Sequence, residues 1–293
     1  MTISVVCASL GRESLSKILP PLANSPAIAE LLIILPPEHP NSTYHTPCSH
    51  LPKVSYHHSH LKGQVNQRVY GCRLATSPYI LFIDDDIMVE TSDVSVLYET
   101  ISKLPYPSVL APRISFINKL SPLKSSFFSS DSLLLWLSKF ENFFRRNGNY
   151  VPFSLTYFHH PLTVYSPIQQ VDWLAGGCLL FSRSLAPLES YYPYRGKAYA
   201  EDIYLSEYFH QYNAKFYILR NISVFTSYLP TKTFNPVLFS VLSTYRLRQA
   251  TTSSSLLFTL LTLLLHLFFL VSFYSLSFII SSILSFGKSS NAY

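Results

Sequence analysis

The chain has 293 residues, 48% of them hydrophobic and 13% charged, with a net charge of +6 at neutral pH. Such a composition excludes a disordered polymer, which lacks the apolar surface to bury. The basic residues are dispersed rather than gathered into a stripe with interleaved aromatics, which argues against nucleic acid as a partner and leaves anionic lipid or a diphosphate to account for the sign.

In chain order, Ile3 to Ala8 reads as a first strand and Leu31 to Leu35 as a second, stopped by Pro36 and Pro37. Residues 62–76 read as a helix, and Tyr79 to Ile83 as a buried strand that ends in Asp84, Asp85 and Asp86. Val109 to Ala111 is a further strand closed by Pro112. From 113 to 170 the rhythm gives way to Ser, Phe, Tyr and Pro, although Leu133 to Phe144 keeps helical spacing, and the segment is expected to be an insertion over one face of the sheet. Order returns from Val171 to Phe181, followed by a helix over 202–212 and a strand over 215–219. Apolar runs alternating with helix-compatible stretches predict an α/β domain over 1–230 with a mostly parallel sheet.

Beyond it, 231–255 reads as a juxtamembrane segment and 256–286 as a transmembrane or membrane-embedded helix. No Asp, Glu, Lys or Arg occurs from Gln249 to Gly287, and the mean hydropathy of the whole chain is +0.21. Roughly 20 apolar residues suffice for one span. Tyr245, Arg246 and Arg248 stand just before this run, where aromatic and basic side chains meet headgroups. The first residues show no basic region with a small-residue cleavage site, so the catalytic part is expected on the cytoplasmic side of a single-pass protein. Cys7, Cys48, Cys72 and Cys178 follow neither CxxC nor zinc-site spacing and are expected as reduced thiols. His57-His58 and His159-His160 are expected in surface loops, since adjacent residues of extended chain point apart.

Three consecutive carboxylates at a strand end repel one another and raise one another's pKa values. A divalent cation relieves that repulsion, and oxygen ligands suit Mg2+ or Mn2+, which bind through one or two carboxylates together with substrate phosphates. In open α/β sheets, ligands bind at the carboxyl ends of strands.

With these residues in view, the chain resembles the family 2 glycosyltransferases, whose donor-binding domain has the GT-A fold, over about Ile3 to Leu219. The resemblance is carried by Gly63-Gln64, Arg68, Gly71 and Ala75, then by Tyr79-Ile80-Leu81-Phe82-Ile83-Asp84-Asp85-Asp86, by Val171-Asp172-Trp173-Leu174-Ala175-Gly176-Gly177, and by Glu201-Asp202 beside an apolar helix. It implies that Arg68, Asp84 and Asp85 bind a nucleotide-sugar donor and that Asp86, with Asp84, ligates the metal. It implies further that Asp172, Trp173, Gly176 and Gly177 line the acceptor side, and that Asp202 is the general base, with Glu201 orienting it. A glycan or lipid-linked acceptor follows from the membrane segment.

The chain departs from the family pattern at two places. Pro36-Pro37-Glu38-His39 replaces an acidic, Gly- and Ser-containing turn, and Val224-Phe225-Thr226-Ser227 lacks the histidine that completes the family's metal site. These departures keep open a non-catalytic protein that binds nucleotide-sugar or a partner. A phosphatase of the haloacid dehalogenase type also places aspartates at a strand end, but wants Thr or Val where Met88 stands.

Overall fold

The computed structural model describes residues 2–38, 44, 46–116, 167–171, 173–194, 198, 201–226, 264 and 268. The chain divides into two compact units, one of residues 1–121 and 160–230, the other of 122–159 and 231–293. Everything described below except Leu264 and Phe268 belongs to the first unit.

That unit is built on β1 (Ile3–Ala8), α1 (Leu15–Ala23), β2 (Ile28–Leu35), β3 (Val54–His58), α2 (Gln64–Leu74), β4 (Tyr79–Asp84), β5 (Ile87–Met88), α3 (Thr91–Ile101), β6 (Ser108–Phe116), β7 (Ile168–Val171), β8 (Cys178–Ser182), α4 (Glu201–His210) and β9 (Lys215–Thr226). The strands form one nine-stranded sheet in the order β3-β2-β1-β4-β8-β6-β9-β5, with β7 also paired to β9.

β1 is buried at all six positions because both faces of the sheet are covered, which is why its sequence is apolar on both faces, Ser4 aside, rather than an alternation. Its side chains divide by parity. Ile3, Val5 and Cys7 join the core with Ile18 and Leu22 of α1 and Val94 and Leu97 of α3. Val6 joins the opposite core with Cys72 of α2, Phe82 and Phe181 of the sheet, and Leu205 and Phe209 of α4. Helix α2 lies so close over β1 and β2 that a Cβ on Gly71 would collide with Val6 and press on Ile34. Only glycine fits there.

The sheet is mixed, which corrects the mostly parallel expectation. β1, β2, β3 and β4 run parallel, and so do β6 and β9, but β8 lies antiparallel between β4 and β6. Because β8 begins where β4 ends, it delivers the preceding loop, with Gly176 and Gly177, to the carboxyl end of β4. The Asp84 amide accordingly donates to the Gly177 carbonyl at 2.9 Å.

Two strands are longer than their apolar runs suggested. β6 continues through Pro112 to Phe116 and β9 runs on to Thr226, joined across a register shift after Pro112. The missing proline N–H interrupts the ladder only locally. The first and last parts of the 113–170 stretch are therefore sheet, and its interior, including Leu133 to Phe144, lies outside the described residues. His57 and His58 stand on edge strand β3 rather than in a loop, each half-buried, with His58 Nδ1 2.9 Å from the Pro36 carbonyl. His159-His160 lies outside the described residues.

All four cysteines are free thiols. Leu264 and Phe268 are helical and exposed. Among the described residues no helix is long and apolar enough to cross a membrane, and the remainder of the 256–286 segment lies outside them.

Candidate active site

The parallel half of the sheet supplies a topological switch point. β1 leads to β2 on one side, while β4 returns to the other side of β1, with Ala8 registered opposite Asp84. The loops after β1 and β4 therefore open beside each other, and a crevice of this kind is the usual ligand position in open α/β sheets.

Each carboxylate of the triplet has a different environment. Asp84 Oδ1 accepts from Arg68 Nη2 at 2.7 Å and from Gln64 Nε2 at 3.0 Å. Burial pushes its carboxyl above the ordinary range, and Arg68 pulls it back. Asp85 is buried against the loop after β1: the Ser9 hydroxyl donates to its Oδ2 at 2.7 Å and the Ser14 hydroxyl to its carbonyl at 2.5 Å. Arg12, half-exposed, pairs with Asp85 Oδ1 at 3.3 Å. Asp86 has lighter support, a donation from the Thr226 hydroxyl to its Oδ2 at 3.2 Å. Pairing of β5 with the end of β9 sets Ile87 opposite Thr226 and so brings the two side chains together. Burial raises the Asp86 carboxyl, the Thr226 hydroxyl opposes that rise, and the neighbouring Asp85 charge adds to it.

Arg68 projects from α2 into the space between β4 and α4 and is 1% exposed. Both of its terminal nitrogens are engaged. Nη1 donates to Glu201 Oε1 at 2.5 Å, while Nη2 donates to Asp84 and to the Gly176 carbonyl at 3.0 Å, and the guanidinium carbon sits 5.4 Å from the centre of the Phe82 ring. Burial works against its charge, but Glu201 and Asp84 more than offset that and hold it protonated. One side chain thus ties the strand-end triplet to the start of α4.

At that helix start, Glu201 is buried and also accepts from the Tyr191 hydroxyl, at 2.9 Å on Oε2. Asp202 is half-buried beside it. Burial raises the Asp202 carboxyl well above the ordinary range, the neighbouring Glu201 carboxyl raises it further, and Arg68 opposes them. Gly176 is the reason the pair fits. A Cβ there would stand 2.5 Å from Asp202 Oδ1, 2.9 Å from Glu201 Oε1 and 3.1 Å from Arg68 Nη1. The loop before Gly176 is tied to α4 by Ser206, whose hydroxyl accepts from the Leu174 amide at 3.3 Å and donates to the Asp202 carbonyl at 2.9 Å.

Of the residues singled out in sequence, the fold gathers Arg68, Asp84, Gly176, Gly177, Glu201 and Asp202 into one connected cluster, with Asp85 and Asp86 continuing from Asp84. Trp173 is half-buried at the start of the same loop, and Asp172 lies outside the described residues. Sequence reading missed Ser9, Arg12, Ser14, Tyr191 and Thr226. A Ser-Leu-Gly turn after an apolar strand was a usable signal for Ser9, whereas Tyr191 sits in a run of tyrosines without distinguishing spacing.

Among the described residues no three His, Cys, Asp or Glu side chains converge as a ligand set. Among the described residues Asp86 and the Thr226 hydroxyl bonded to it offer oxygen donors, and Asp84 stands two residues before Asp86 at the end of β4. That set fits a hard cation such as Mg2+ or Mn2+ completed by substrate phosphate rather than a protein cage.

Residues 42–166 match the family model described as glycosyl transferase family 2. No curated protein matches the chain. Among solved structures, GalNAc-T7 crystallised with UDP, GalNAc and Mn2+ is similar with a TM-score of 0.50 and 15% identity, over 78% of this chain and 44% of that one. The chain thus spans less than half of GalNAc-T7. S. aureus TarS 1-349 gives a TM-score of 0.49 and 12% identity over 90% of this chain and 69% of that one, and S. aureus TarS gives 0.45 and 10% over 88% and 41%. The mixed α/β sheet is the fold of GT-A glycosyltransferases.

Proposed function

From the family 2 glycosyltransferase segment and the GT-A fold that this chain carries, we infer that it is an inverting glycosyltransferase that moves a sugar from a nucleotide-diphosphate donor to a glycan or lipid-linked acceptor at a membrane. The observation that carries this reading is the meeting of two separate acidic motifs, Asp84 and Glu201-Asp202, around Arg68 and Gly176. Motifs more than a hundred residues apart in sequence are held within one side chain's reach.

The loop after β1 and the end of β4 form the donor side, with Asp85 toward the ribose and Asp84 and Arg68 behind it. Asp86, with Asp84, is the place for Mg2+ or Mn2+. The cation, when bound, supplies positive charge to the departing diphosphate. GalNAc-T7 was crystallised with UDP and Mn2+, which supports this choice by analogy of fold.

Trp173, Gly176 and Gly177, with Asp172, form the acceptor side. There the acceptor hydroxyl surrenders its proton to Asp202 as its oxygen bonds to the anomeric carbon, and the bond from that carbon to the diphosphate oxygen breaks. One displacement inverts the configuration. A carboxylate whose proton affinity is raised by burial is a better base than an exposed one, because its pKa lies closer to the working pH. Gly176 leaves Asp202 room beside the loop, and Glu201 holds its orientation.

The apolar run over 256–286 holds the protein to a bilayer with the catalytic unit in the cytoplasm, where basic residues before the run favour it. Incubation with Mn2+ and a panel of nucleotide-sugars is expected to give transfer, or slow donor hydrolysis, from one of them. Chelation of the metal should abolish it. Truncation after Ser255 should release an active protein from washed membranes. A chain that turns over no donor, or a truncated form that still pellets with membranes, contradicts the corresponding half of the reading.

A further inference from the structure

The loop after β1 is fastened to the carboxyl end of β4 on both sides of Arg12. Before it, the Ser9 hydroxyl donates to Asp85 Oδ2 at 2.7 Å, the Ser9 amide to the Ile34 carbonyl at 3.0 Å, and Gln67 Nε2 to the Ser9 carbonyl at 2.9 Å. After it, the Ser14 hydroxyl donates to the Asp85 carbonyl at 2.5 Å. Between these anchors Gly11 turns the chain at φ 72° and donates its amide to the Ser9 hydroxyl at 2.9 Å. Arg12 is thus carried on a fixed loop, yet its own side chain is 49% exposed.

Asp85 is the opposite case. Its side chain is 10% exposed, and the two serines already occupy Oδ2 and the main-chain carbonyl. Oδ1 is the acceptor that remains for a ligand, and Arg12 Nη1 stands 3.3 Å from it. That separation exceeds the roughly 2.7–2.9 Å of a charge-assisted hydrogen bond. A pair with a half-exposed cation adds little to stability. The serines, not the guanidinium, hold Asp85 in place. Of the two guanidiniums paired with the triplet among the described residues, Arg12 alone is placed to move, because Arg68 is 1% exposed and bound through both terminal nitrogens.

On the reading that Asp85 faces the ribose of a nucleotide-sugar, we propose that Arg12 is a specificity residue, an exchangeable counter-ion that yields Asp85 Oδ1 to a ribose hydroxyl and turns its guanidinium to the diphosphate of the same donor. A ribose hydroxyl that donates to Asp85 competes with Arg12 for Oδ1, and the phosphates hang from that ribose, within the swing of the displaced side chain. Two parallel N–H donors suit phosphate oxygens better than they suit one carboxylate oxygen at 3.3 Å. A nucleoside diphosphate therefore compensates for the contact it breaks. A free nucleoside breaks the same contact and gives the guanidinium nothing in return, so Arg12 makes the site discriminate by phosphate content.

The test compares a nucleoside diphosphate with its parent nucleoside on the full chain, as wild type, Arg12→Gln and Arg12→Lys. The probe is whichever of UDP, GDP, CDP and dTDP the wild type binds by calorimetry with Mn2+, and the weaker nucleoside binding is read by ligand-observed NMR. Arg12→Gln is expected to bind the diphosphate roughly tenfold more weakly, the scale of one hydrogen bond to a charged group, and to bind the nucleoside as well as the wild type or better. Its diphosphate affinity should also fall less steeply with added salt, because one exposed charge is gone. Arg12→Lys keeps a point charge without the fork and should lie between the two. Should Arg12→Gln fail to fold, Arg12→Lys carries the same comparison. Unchanged diphosphate affinity, or a nucleoside affinity lowered by the same factor as that of the diphosphate, overturns the proposal. A wild type that binds none of the four diphosphates overturns the donor reading, and the proposal with it.

Discussion

The two acidic motifs of this protein are built differently. At the end of β4 the carboxylates lie along one strand and receive donors from several elements: Gln64 and Arg68 from α2, Ser9 and Arg12 from the loop after β1, Thr226 from β9. At the start of α4 two carboxylates stand side by side, and among the described residues the side-chain donors go to Glu201. Among the described residues, Asp84, Asp85 and Glu201 each have two side-chain partners, while Asp86 accepts from one side chain, Thr226, and the Asp202 carboxyl from no hydroxyl, amide or guanidinium. Those two are proposed for metal binding, Asp86 together with Asp84, and for proton transfer, Asp202. The contrast teaches that an acidic motif need not be uniform: its carboxylates differ in how many protein hydrogen bonds already occupy them.

Arg68 is the sharpest place to break this contrast, because it serves both motifs. Arg68→Met removes the positive charge between Asp84 and Glu201 and leaves buried carboxylates uncompensated, a change that costs about 3–5 kcal/mol for buried pairs. Chemical denaturation should register that loss. If stability is unchanged, the buried cluster is not held together as described.

Gly176→Ala is expected to act more locally. Its Cβ would fall 2.5 Å from Asp202 Oδ1 and 2.9 Å from Glu201 Oε1, so the acidic pair must shift. An overpacked site typically loses about 1–3 kcal/mol. The donor-side carboxylates are not among these contacts and the nearest donor-side atom, Arg68 Nη1, is 3.1 Å away, so nucleotide binding measured by calorimetry should fall less than transfer. Equal loss of both would mean that the two motifs do not separate in function.

Much of this was legible in sequence where a residue type has one common use. A strand that is apolar at every position and then turns acidic could only be a buried central strand ending at a site, and β4 is that. The glycines before β8 and the Glu-Asp pair at the head of α4 were recognisable by type and order. Less legible were elements whose local signals conflict with their context. Pro20 and Pro21 hid α1, although Leu15, Ile18, Leu19 and Leu22 mark its buried face. Helix α3 went unread behind a mixed polar sequence that ends a turn with Glu90 and Asp93 capping one another. β3 was obscured by its two histidines, which an edge strand tolerates. Tyr191 could not have been selected from its neighbours, since its role comes from a contact with a helix that follows it in the fold.

The pH dependence of the site follows from Asp202. Its carboxyl holds a proton to higher pH in the folded chain than in the unfolded one, so the folded state binds more protons between the ordinary carboxylate range and the raised value. Stability from this group therefore falls as pH rises through that window. On the proposed role of Asp202 as base, transfer is expected to rise through the same window, because only the deprotonated form accepts the acceptor's proton.

Donor binding and transfer measured side by side in the wild type, Asp86→Asn and Asp202→Asn test the central assignment most directly. Titration calorimetry with a nucleoside diphosphate and Mn2+ is expected to show near-normal binding in Asp202→Asn and loss of the Mn2+-dependent part in Asp86→Asn. Single-turnover transfer should be at least ~100-fold slower in Asp202→Asn, the usual contribution of a general base, and should lose the rise with pH seen in the wild type. Near-normal transfer by Asp202→Asn, or unchanged Mn2+-dependent binding in Asp86→Asn, would contradict the account.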